Sequence, residues 1–391
     1  MNDRSPTRTA VIVEAVRTPI GRGHPEKGYY RDLHPAALLA RTYREVFDRS
    51  GLDPAEVEDV ICGCVQQFGQ QAANIGRLAW LHEGLPIETP ATTLDRQCGS
   101  AQQAVNFAAS QIACGVHDVV IACGVEHMGR VSFGVAQEMH DRFGHPHTPE
   151  LLANHPIINQ GVGAEMIADE WEITRAEMDE LAVRSHRLAH AATESGAFDR
   201  ELVPFEVNGD VLRSDQGIRP QTDLASLAQL KPAFRPDGKV TAGNASQISD
   251  GAAAILLMSA EKAAELGMTA RARIVDQTVV GCDPVKMLEG PIPATHKLLE
   301  RTGMTIDDFD AFEVNEAFAP VVIAWAREHG PDMDRVNPRG GAMALGHPLG
   351  STGARLVTTL LHHLEDTDGE RGLVTMCCGG GLGTGTIIER V

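Results

Sequence analysis

Short runs of β-branched and other apolar residues alternate along this chain with longer segments whose apolar residues recur at helical spacing. The runs at residues 10–13, 118–122 and 372–376 are the clearest examples. This alternation is typical of α/β units arranged around a largely parallel sheet. The pattern therefore predicts an α/β fold.

The two ends of the chain repeat one order of elements. Residues 98–100 open a predicted helix that is followed by the strand at 118–122, and residues 347–351 open a second helix that is followed by the strand at 373–376. We interpret the repeat as an internal duplication. A pseudo-twofold arrangement of the halves would bring matching loops together, so residues distant in sequence could share one site.

The segment between the repeats has a different composition. It is rich in His, Pro, Asn and Asp, and it contains one strongly helical stretch at residues 163–195. A strand at 252–258 and a helix at 260–266 then return to the first repeat. We predict an N-terminal half at 1–124 that is completed by 247–269, an inserted loop domain at 125–246, and a C-terminal half at 270–391.

The overall composition permits a full hydrophobic core. Of the 391 residues, 43% are hydrophobic and 22% are charged. A chain of this length exceeds the size at which one hydrophobic core keeps growing, so two or more packed units are expected. The formal charge of −19 argues against nucleic acid or an anionic membrane as the main partner, because both are polyanions. Residues 1–10 are polar, and no run of about 18 apolar residues occurs. We therefore expect a cytoplasmic location.

Eight cysteines are spread through the chain. Without a secretion signal they are expected to be reduced thiols rather than a disulfide framework. Cys62 and Cys64 lie in an apolar stretch, where a buried strand explains them better than a metal site.

Cys98 is the candidate nucleophile. It precedes Gly99 and Ser100 at the start of a predicted helix, where unpaired N–H groups and the helix dipole favour a thiolate. Gly99 would let the backbone come close to a bound acyl group. The alternative for Cys98 is a buried structural thiol.

His347 is the candidate base. It lies between a glycine and a proline in a loop, which is a common setting for an exposed catalytic imidazole. It could take the proton of Cys98 or donate to a developing enolate oxygen. The alternative is a loop histidine bonded to backbone. We expect His362 and His363, in the helix that follows, to lie at the surface.

Two further thiols end a predicted strand. Cys377 and Cys378 precede three glycines at residues 379–381. A thiol at such a turn can act as a second acid/base, and glycine N–H groups can hold an oxyanion. Neighbouring residues on a strand point to opposite sides, so only one thiol should face the site. The pattern alone leaves open which one.

Asn315 and Glu316 follow an apolar-flanked run at residues 312–314. An amide directly after a strand could orient a water against a substrate. An acid beside a thiolate would raise the pKa of the thiol and oppose its reactivity. We therefore favour Asn315 for a catalytic role and interpret Glu316 as a loop scaffold.

Four separated motifs coincide in order: Cys98-Gly-Ser, Asn315-Glu-Ala-Phe, Gly346-His-Pro and Cys377-x-Gly-Gly-Gly. With them the chain closely resembles the thiolases, that is, the acetyl-CoA acyltransferases and acetyltransferases, over almost its whole length. The resemblance implies an α/β thiolase fold, with two duplicated βαβαβαββ halves in a five-layer α-β-α-β-α core and an inserted loop domain. It also implies a homodimer or homotetramer.

The resemblance implies a role for each motif residue. Cys98 would carry the acyl group, His347 would activate it, and Cys377 would be the second acid/base. One oxyanion site would use His347 with a water held by Asn315, and the other the N–H groups of Cys98 and Gly379. The implied reaction is CoA-dependent thiolytic cleavage of a 3-ketoacyl-CoA to acetyl-CoA and a shortened acyl-CoA, through an acyl-cysteine intermediate.

Coenzyme A is implied as a co-substrate, with no permanently bound cofactor and no metal. The thiolase pattern points to contacts in the inserted domain, at Arg219, Ser226 and Ser246. Arg219 could meet phosphate or adenine, and Ser246 could bond the pantetheine amide. Without the resemblance, Arg219 and Ser226 would be interpreted as ordinary polar residues of surface loops. The same pattern makes Cys378 a variable, structural position.

The chain departs from the thiolase pattern near the nucleophile. Residues 94–97 read Leu-Asp-Arg-Gln where many members carry Asn-Arg, and Gln160 and Gly161 stand where Met-Gly is frequent. With Gln102 and Gln103, these changes resemble a branch that handles bulky acyl groups such as steroid side chains. They argue against a narrow acetoacetyl-CoA specificity.

The same motifs bear on other candidate functions. A ketoacyl synthase would lack the second cysteine that Cys377 supplies, and a non-catalytic acyl-CoA- or lipid-binding relative would have lost Cys98 or His347. A biosynthetic thiolase that condenses two acetyl-CoA molecules is the alternative within the family. A metalloenzyme would have to use four histidines whose spacing forms no recognisable ligand frame, namely His140, His145, His147 and His155.

Overall fold

The computed structural model of the chain describes residues 8–207 and 209–391. Most of the polar start at residues 1–10 therefore lies outside the described residues. Within them, the strands are β1 (Ala10–Arg17), β2 (Gly21–Arg22), β3 (Asp59–Gly63), β4 (Ala91–Leu94), β5 (Val119–His127), β6 (Phe205–Val207), β7 (Asp210–Leu212), β8 (Ser249–Ser259), β9 (Ala272–Gly281), β10 (Ala311–Val314), β11 (Arg371–Cys378) and β12 (Leu382–Arg390).

The helices of the described residues connect these strands and build most of the inserted segment. They are α1 (Pro35–Ser50), α2 (Ile75–His82), α3 (Ser100–Ala113), α4 (Phe133–Phe143), α5 (Pro149–Asn154), α6 (Gln160–Glu170), α7 (Arg175–Glu194), α8 (Leu224–Ala228), α9 (Ala260–Glu265), α10 (Pro291–Thr302), α11 (Ala319–His329), α12 (Ala342–Leu345) and α13 (Thr352–Thr367). None of these described helices is long and apolar enough to cross a membrane.

The strand order confirms the duplication. In the first half the order is β3-β5-β8-β1, and in the second it is β10-β11-β12-β9. In each half the first pair of strands is parallel and the next two pairs are antiparallel. The short pairing of β1 with β9, at Val11–Arg273 and Ile12–Ala272, joins both halves into one continuous sheet.

Three hydrophobic clusters lie between the helix and sheet layers of the fold. One lies between the first half of the sheet and the outer helices α1 and α2, and another lies between the second half and helices that include α10 and α11. The third surrounds α3 and α13, which pack on each other and on strands of both halves. The expected five layers are therefore present, with the difference that one hydrogen-bonded sheet supplies both β layers.

The helical stretch expected at 163–195 is two helices rather than one. Glu172 takes a left-handed φ of 52°, which ends α6, and Thr174 caps α7. The Thr174 hydroxyl accepts from Glu177 N, while the Glu177 carboxylate accepts from Thr174 N at 2.8 Å. This reciprocal cap explains the break, because it satisfies N–H groups that a new helix leaves free.

Two further expectations are corrected by packing. β5 continues to His127, three residues past the boundary expected at 124. His362, expected at the surface, is 2% exposed, and its Nε2 lies 3.2 Å from the carbonyl oxygen of Ala15. It faces the sheet because α13 is enclosed between both halves, whereas His363 is partly buried.

Candidate active site

Cys98 lies at the turn that leads into α3. Gln97 adopts a left-handed φ of 51°, and its N–H donates to Asp95 Oδ1 at 2.6 Å. The Ser100 hydroxyl donates to Gln97 O at 2.6 Å and holds the turn from the other side. This local network presents Cys98 at the N-terminal end of a central-layer helix, and only 3% of the residue is exposed.

The surroundings of Cys98 favour the neutral thiol. Burial raises the pKa of the Cys98 thiol to about 11, while the backbone N–H groups of Gly379 and Cys98 itself hydrogen-bond the sulfur and lower it. The expectation that the helix start favours a thiolate is therefore wrong for the free protein, because desolvation outweighs these N–H groups. A base is needed to remove the proton.

Both ring nitrogens of His347 are engaged. Nδ1 lies 2.6 Å from the Thr352 hydroxyl, which donates its own proton to Pro348 O at 2.8 Å and therefore accepts from Nδ1–H. Nε2 lies 3.3 Å from Asn315 Nδ2, which can only donate. The contacts thus define a neutral imidazole with its proton on Nδ1.

Burial lowers the pKa of His347 to about 3, and the Arg355 guanidinium adds to the effect. The residue is 3% exposed, so the expected exposed imidazole is instead enclosed by the protein. Its backbone N–H donates to Ser249 Oγ at 3.1 Å. His347 is therefore held as a neutral base rather than as an imidazolium.

Glu126 fixes the loop that carries His347, and sequence reasoning missed it. Its buried carboxylate accepts from Gly350 N at 2.8 Å, from Val65 N at 2.9 Å and from Gln66 N at 3.0 Å. One acid thereby joins the His347 loop of the second half to the loop after β3 in the first. An acidic residue near the end of the apolar run of β5 was the available signal.

Cys377 and Cys378 lie on opposite faces of β11, as strand alternation requires. Cys378 packs in the central cluster that also contains Cys98, and a Cβ at Gly99 would lie 2.7 Å from its sulfur. Cys377 packs in the cluster beside the outer helices. Burial raises the pKa of both thiols, and negative charge on Cys98 raises each further, so both lie within electrostatic reach of that sulfur.

Asn315 connects His347 to β11, the strand that carries Cys377 and Cys378. Its backbone N–H donates to Thr375 O at 3.1 Å, two residues before Cys377 on the neighbouring strand. Its side-chain Oδ1 is buried and has no partner among the residues that the structure describes. The arrangement therefore places Cys98, Cys377, Gly379, Asn315 and His347 at one end of the second half of the sheet, beside the start of the central helices.

Glu316 contributes to the scaffold of this loop. Its buried carboxylate accepts from the Ser185 hydroxyl at 2.6 Å, from Asn337 Nδ2 at 3.0 Å and from Met343 N at 3.1 Å. These bonds tie β10 to α7 and to α12. They agree with the interpretation of Glu316 as a loop scaffold.

Family comparisons agree with this arrangement of two halves. The family described as Thiolase, N-terminal domain, matches residues 10–261, and the one described as Thiolase, C-terminal domain, matches residues 268–390. The chain belongs to the thiolase family. Thiolase motifs from both matched regions therefore meet at the site described above.

Individual relatives cover this thiolase almost completely. It is 45% identical over 388 residues to the steroid 3-ketoacyl-CoA thiolase of Mycobacterium tuberculosis, covering 98% of this chain and 94% of that protein. It is 44% identical over 394 residues to the 3-ketoacyl-CoA thiolase of Marinobacter nauticus, covering 98% and 99%. The crystal structure of the Bacillus anthracis acetyl-CoA acetyltransferase matches with a TM-score of 0.89 at 39% identity, covering 99% of this chain and 100% of that one.

Of the three residues expected to contact coenzyme A, Ser246 is bonded directly to the loop that carries Asn315. Its backbone N–H donates to Ala317 O at 2.9 Å, and the adjacent Gln247 O accepts from His347 N at 3.4 Å. Arg219 is exposed, with Nη2 3.4 Å from Gln247 Oε1. Ser226 is also exposed, but its hydroxyl donates to Asp223 O at 2.8 Å and caps α8.

Three of the glutamines named above, Gln102, Gln97 and Gln160, lie in two different places. Gln102 is buried, and its amide bonds Val374 O, Thr386 and Thr384, so it ties α3 to the sheet of the thiolase. Gln97 and Gln160 instead lie beside Gly379. Only these last two lie against the glycine turn that contacts Cys98.

The histidines weighed as metal ligands lie on the inserted segment of the thiolase. The rings of His140 and His145 are 5.0 Å apart, and those of His145 and His147 are 4.9 Å apart. Among residues 8–207 and 209–391, no group of three or more His, Cys, Asp or Glu side chains has the geometry to hold a metal ion.

Proposed function

We propose that this protein is a 3-ketoacyl-CoA thiolase, which uses coenzyme A to cleave a 3-ketoacyl-CoA into acetyl-CoA and a shortened acyl-CoA. The observation that carries the proposal is the hydrogen bond from Gly379 N–H to the Cys98 sulfur. It joins the nucleophile of the first half to the glycine turn of the second. Relatives named 3-ketoacyl-CoA thiolase, at 44% and 45% identity, support the same reaction.

The first step is attack of the Cys98 sulfur on the keto carbon. Because the Cys98 thiol and the His347 imidazole are both neutral, the proton passes to Nε2 of His347 as the carbon–sulfur bond forms. The bond between the keto carbon and the α carbon then breaks. Its electron pair stays on the departing acetyl-CoA as an enolate, and Cys98 retains the acyl group as a thioester.

Two sets of donors stabilise the oxyanions of this pathway. Asn315 Oδ1, which lacks a partner within the described residues, is suited to hold a water that donates to the enolate oxygen together with His347. The N–H groups of Cys98 and Gly379 serve the oxygen of the acyl group on Cys98. Fixed donors in a buried site stabilise such charge without reorganisation of solvent.

Cys377 supplies the second acid/base. Its thiol protonates the α carbon of the enolate, and the resulting thiolate takes the proton of the incoming coenzyme A thiol. After burial, negative charge on Cys98 is the next cause that raises the pKa of Cys377, so acylation of Cys98 makes Cys377 easier to ionise. The coenzyme A sulfur then displaces Cys98 from the acyl group, and His347 returns the proton.

The assignments around this reaction belong to the same proposal. Coenzyme A is the co-substrate, with Arg219, Ser226 and Ser246 as its contacts in the inserted domain. Ser246 has the strongest support, because its backbone is bonded to the Asn315 loop. We further propose a homodimer or homotetramer in the cytoplasm.

Thiolysis of a substrate panel tests the function. Acetoacetyl-CoA, medium and long 3-ketoacyl-CoAs and a steroid side-chain 3-ketoacyl-CoA are each mixed with coenzyme A, and kcat/KM is measured. We expect a longer or steroid substrate to exceed acetoacetyl-CoA, and Cys98→Ala to lose at least about 1,000-fold in kcat. Rapid condensation of acetyl-CoA with activity on acetoacetyl-CoA alone would favour the biosynthetic alternative. Binding of acyl-CoA without turnover would favour the non-catalytic one.

A further inference from the structure

Two side-chain amides lie together beside the glycine that contacts Cys98. A Cβ at Gly379 would lie 2.6 Å from Gln160 Nε2 and 3.1 Å from Gln97 Oε1. The N–H of the same glycine bonds the Cys98 sulfur. Both amides therefore lie against the residue whose N–H contacts the Cys98 sulfur, the atom that carries the acyl group in the proposed function.

The two amides present different groups to this turn. Gln97 Nε2 is 3.3 Å from Asp95 Oδ1 and 3.2 Å from Asp95 Oδ2, so its donors are used and Oε1 remains as an acceptor towards Gly379. Gln160 directs Nε2, which is only a donor, towards the same glycine. The turn is thus lined by one acceptor and one donor.

The start of α6, which carries Gln160, is held by its surroundings. The Asn159 side chain caps α6 by accepting from Gly161 N at 2.9 Å, and the Phe234 ring packs against Gly161. Phe234 in turn makes an edge-to-face contact with Phe318, at 5.8 Å between ring centroids. The backbone that carries Gln160 is therefore held at the first turn of α6 by contacts that reach the Asn315 loop.

We propose that Gln97 and Gln160 select 3-ketoacyl-CoA substrates whose acyl chain carries a hydroxyl group, an inference that rests on the proposed thiolase function. A hydroxyl can donate to Gln97 Oε1 while its oxygen accepts from Gln160 Nε2–H, so it satisfies both amides at once. A plain alkyl chain would displace water from both of these partly buried groups and pair neither, which is penalised.

Other oxygen substituents match the pair less well. A keto oxygen only accepts, so it would leave Gln97 Oε1 unpaired. A carboxylate would also meet that acceptor oxygen, and the Asp95 side chain that holds Gln97 carries a negative charge of its own. The pattern of one donor and one acceptor therefore favours a hydroxyl over a carboxylate.

The test compares two substrates of equal length, 3-ketohexanoyl-CoA and the same thioester with a hydroxyl on the terminal carbon. For the unmodified protein we expect kcat/KM to be about tenfold higher for the hydroxylated substrate. Gln160→Leu should bring the ratio close to one, and Gln97→Asn, which tolerates the left-handed φ but shortens the amide, should lower it. The matched control is Gln137→Leu, at an exposed position on α4, which should keep the ratio.

Gln160→Glu provides a second variant of nearly unchanged shape. It replaces the donor with acceptor oxygens, so the preference for the hydroxylated substrate should again be lost. A wild-type ratio of one or below would overturn the proposal, and so would an unchanged ratio in a folded Gln160→Glu or Gln160→Leu protein. Failure of wild-type protein to cleave either substrate would instead contradict the thiolase function itself.

Discussion

At the scale of single residues, Cys98 and His347 are both held in their neutral forms by burial. The pKa of the thiol is raised to about 11 and that of the imidazole is lowered to about 3. The pair therefore differs from a preformed thiolate–imidazolium pair. In the proposed reaction, attack by Cys98 must therefore be coupled to proton transfer, and the Thr352 and Asn315 contacts keep the imidazole oriented for it.

The raised pKa of Cys98 predicts a particular pH dependence of alkylation. Thiolate is the reactive species, so its fraction should rise about tenfold per pH unit while the pH stays below the pKa. Labelling of the Cys98 peptide by iodoacetamide, followed by mass spectrometry, should accelerate steadily from pH 7 to about pH 10. Cys98→Ala identifies the peptide signal. A rate that levels off near neutral pH would mean that the thiolate is already formed.

The two neighbouring cysteines predict unequal losses of activity. Cys377→Ala should reduce kcat for cleavage by about 100-fold or more, because it removes the proposed acid/base. Cys378→Ala should cost less than about tenfold, since this thiol packs in the central cluster and transfers no proton in the proposed steps. Melting temperatures of both variants control for packing. The reverse order of losses would move the acid/base role to Cys378.

At the scale of elements, the central helices α3 and α13 explain why the site exists. They pack on each other and on both halves of the sheet, so the turn of Cys98 and the loop of His347 meet where these helices begin. The apolar stripes of both helices were visible in sequence. Periodicity identifies a buried face but not its partner, so it does not show that the two helices bury each other. The surface position expected for His362 is wrong for this reason.

The enclosed central layer predicts a large effect of truncation on stability. Leu360 on α13 is fully buried, and its Cδ1 would lie 2.6 Å from a Cβ at Gly372 on β11. Leu360→Ala should lower the free energy of unfolding by about 2–5 kcal/mol, as measured by urea denaturation. Leu78→Ala, at a side chain that is 41% exposed on α2, is the control. Equal effects of both variants would contradict the enclosed layer.

At the scale of the whole molecule, the sequence predicted the duplicated α/β architecture and the motif residues, because each motif is local. It did not predict Glu126, whose carboxylate joins loops from both halves, or the Arg355 charge that helps to keep His347 neutral. Nor did it predict that Gln97 and Gln160 would meet at Gly379. These contacts depend on how distant segments pack, and no spacing along the chain encodes them directly.

The central claim is that a sulfur of the first half and an imidazole of the second act together on one acyl group. Its most direct test is acid-quenched mass spectrometry after incubation with a 3-ketoacyl-CoA in the absence of coenzyme A. We predict an acyl adduct on the peptide that contains Cys98, no adduct there in Cys98→Ala, and much slower adduct formation in His347→Ala. An adduct on another cysteine, or acylation of Cys98 at an undiminished rate without His347, would contradict the account.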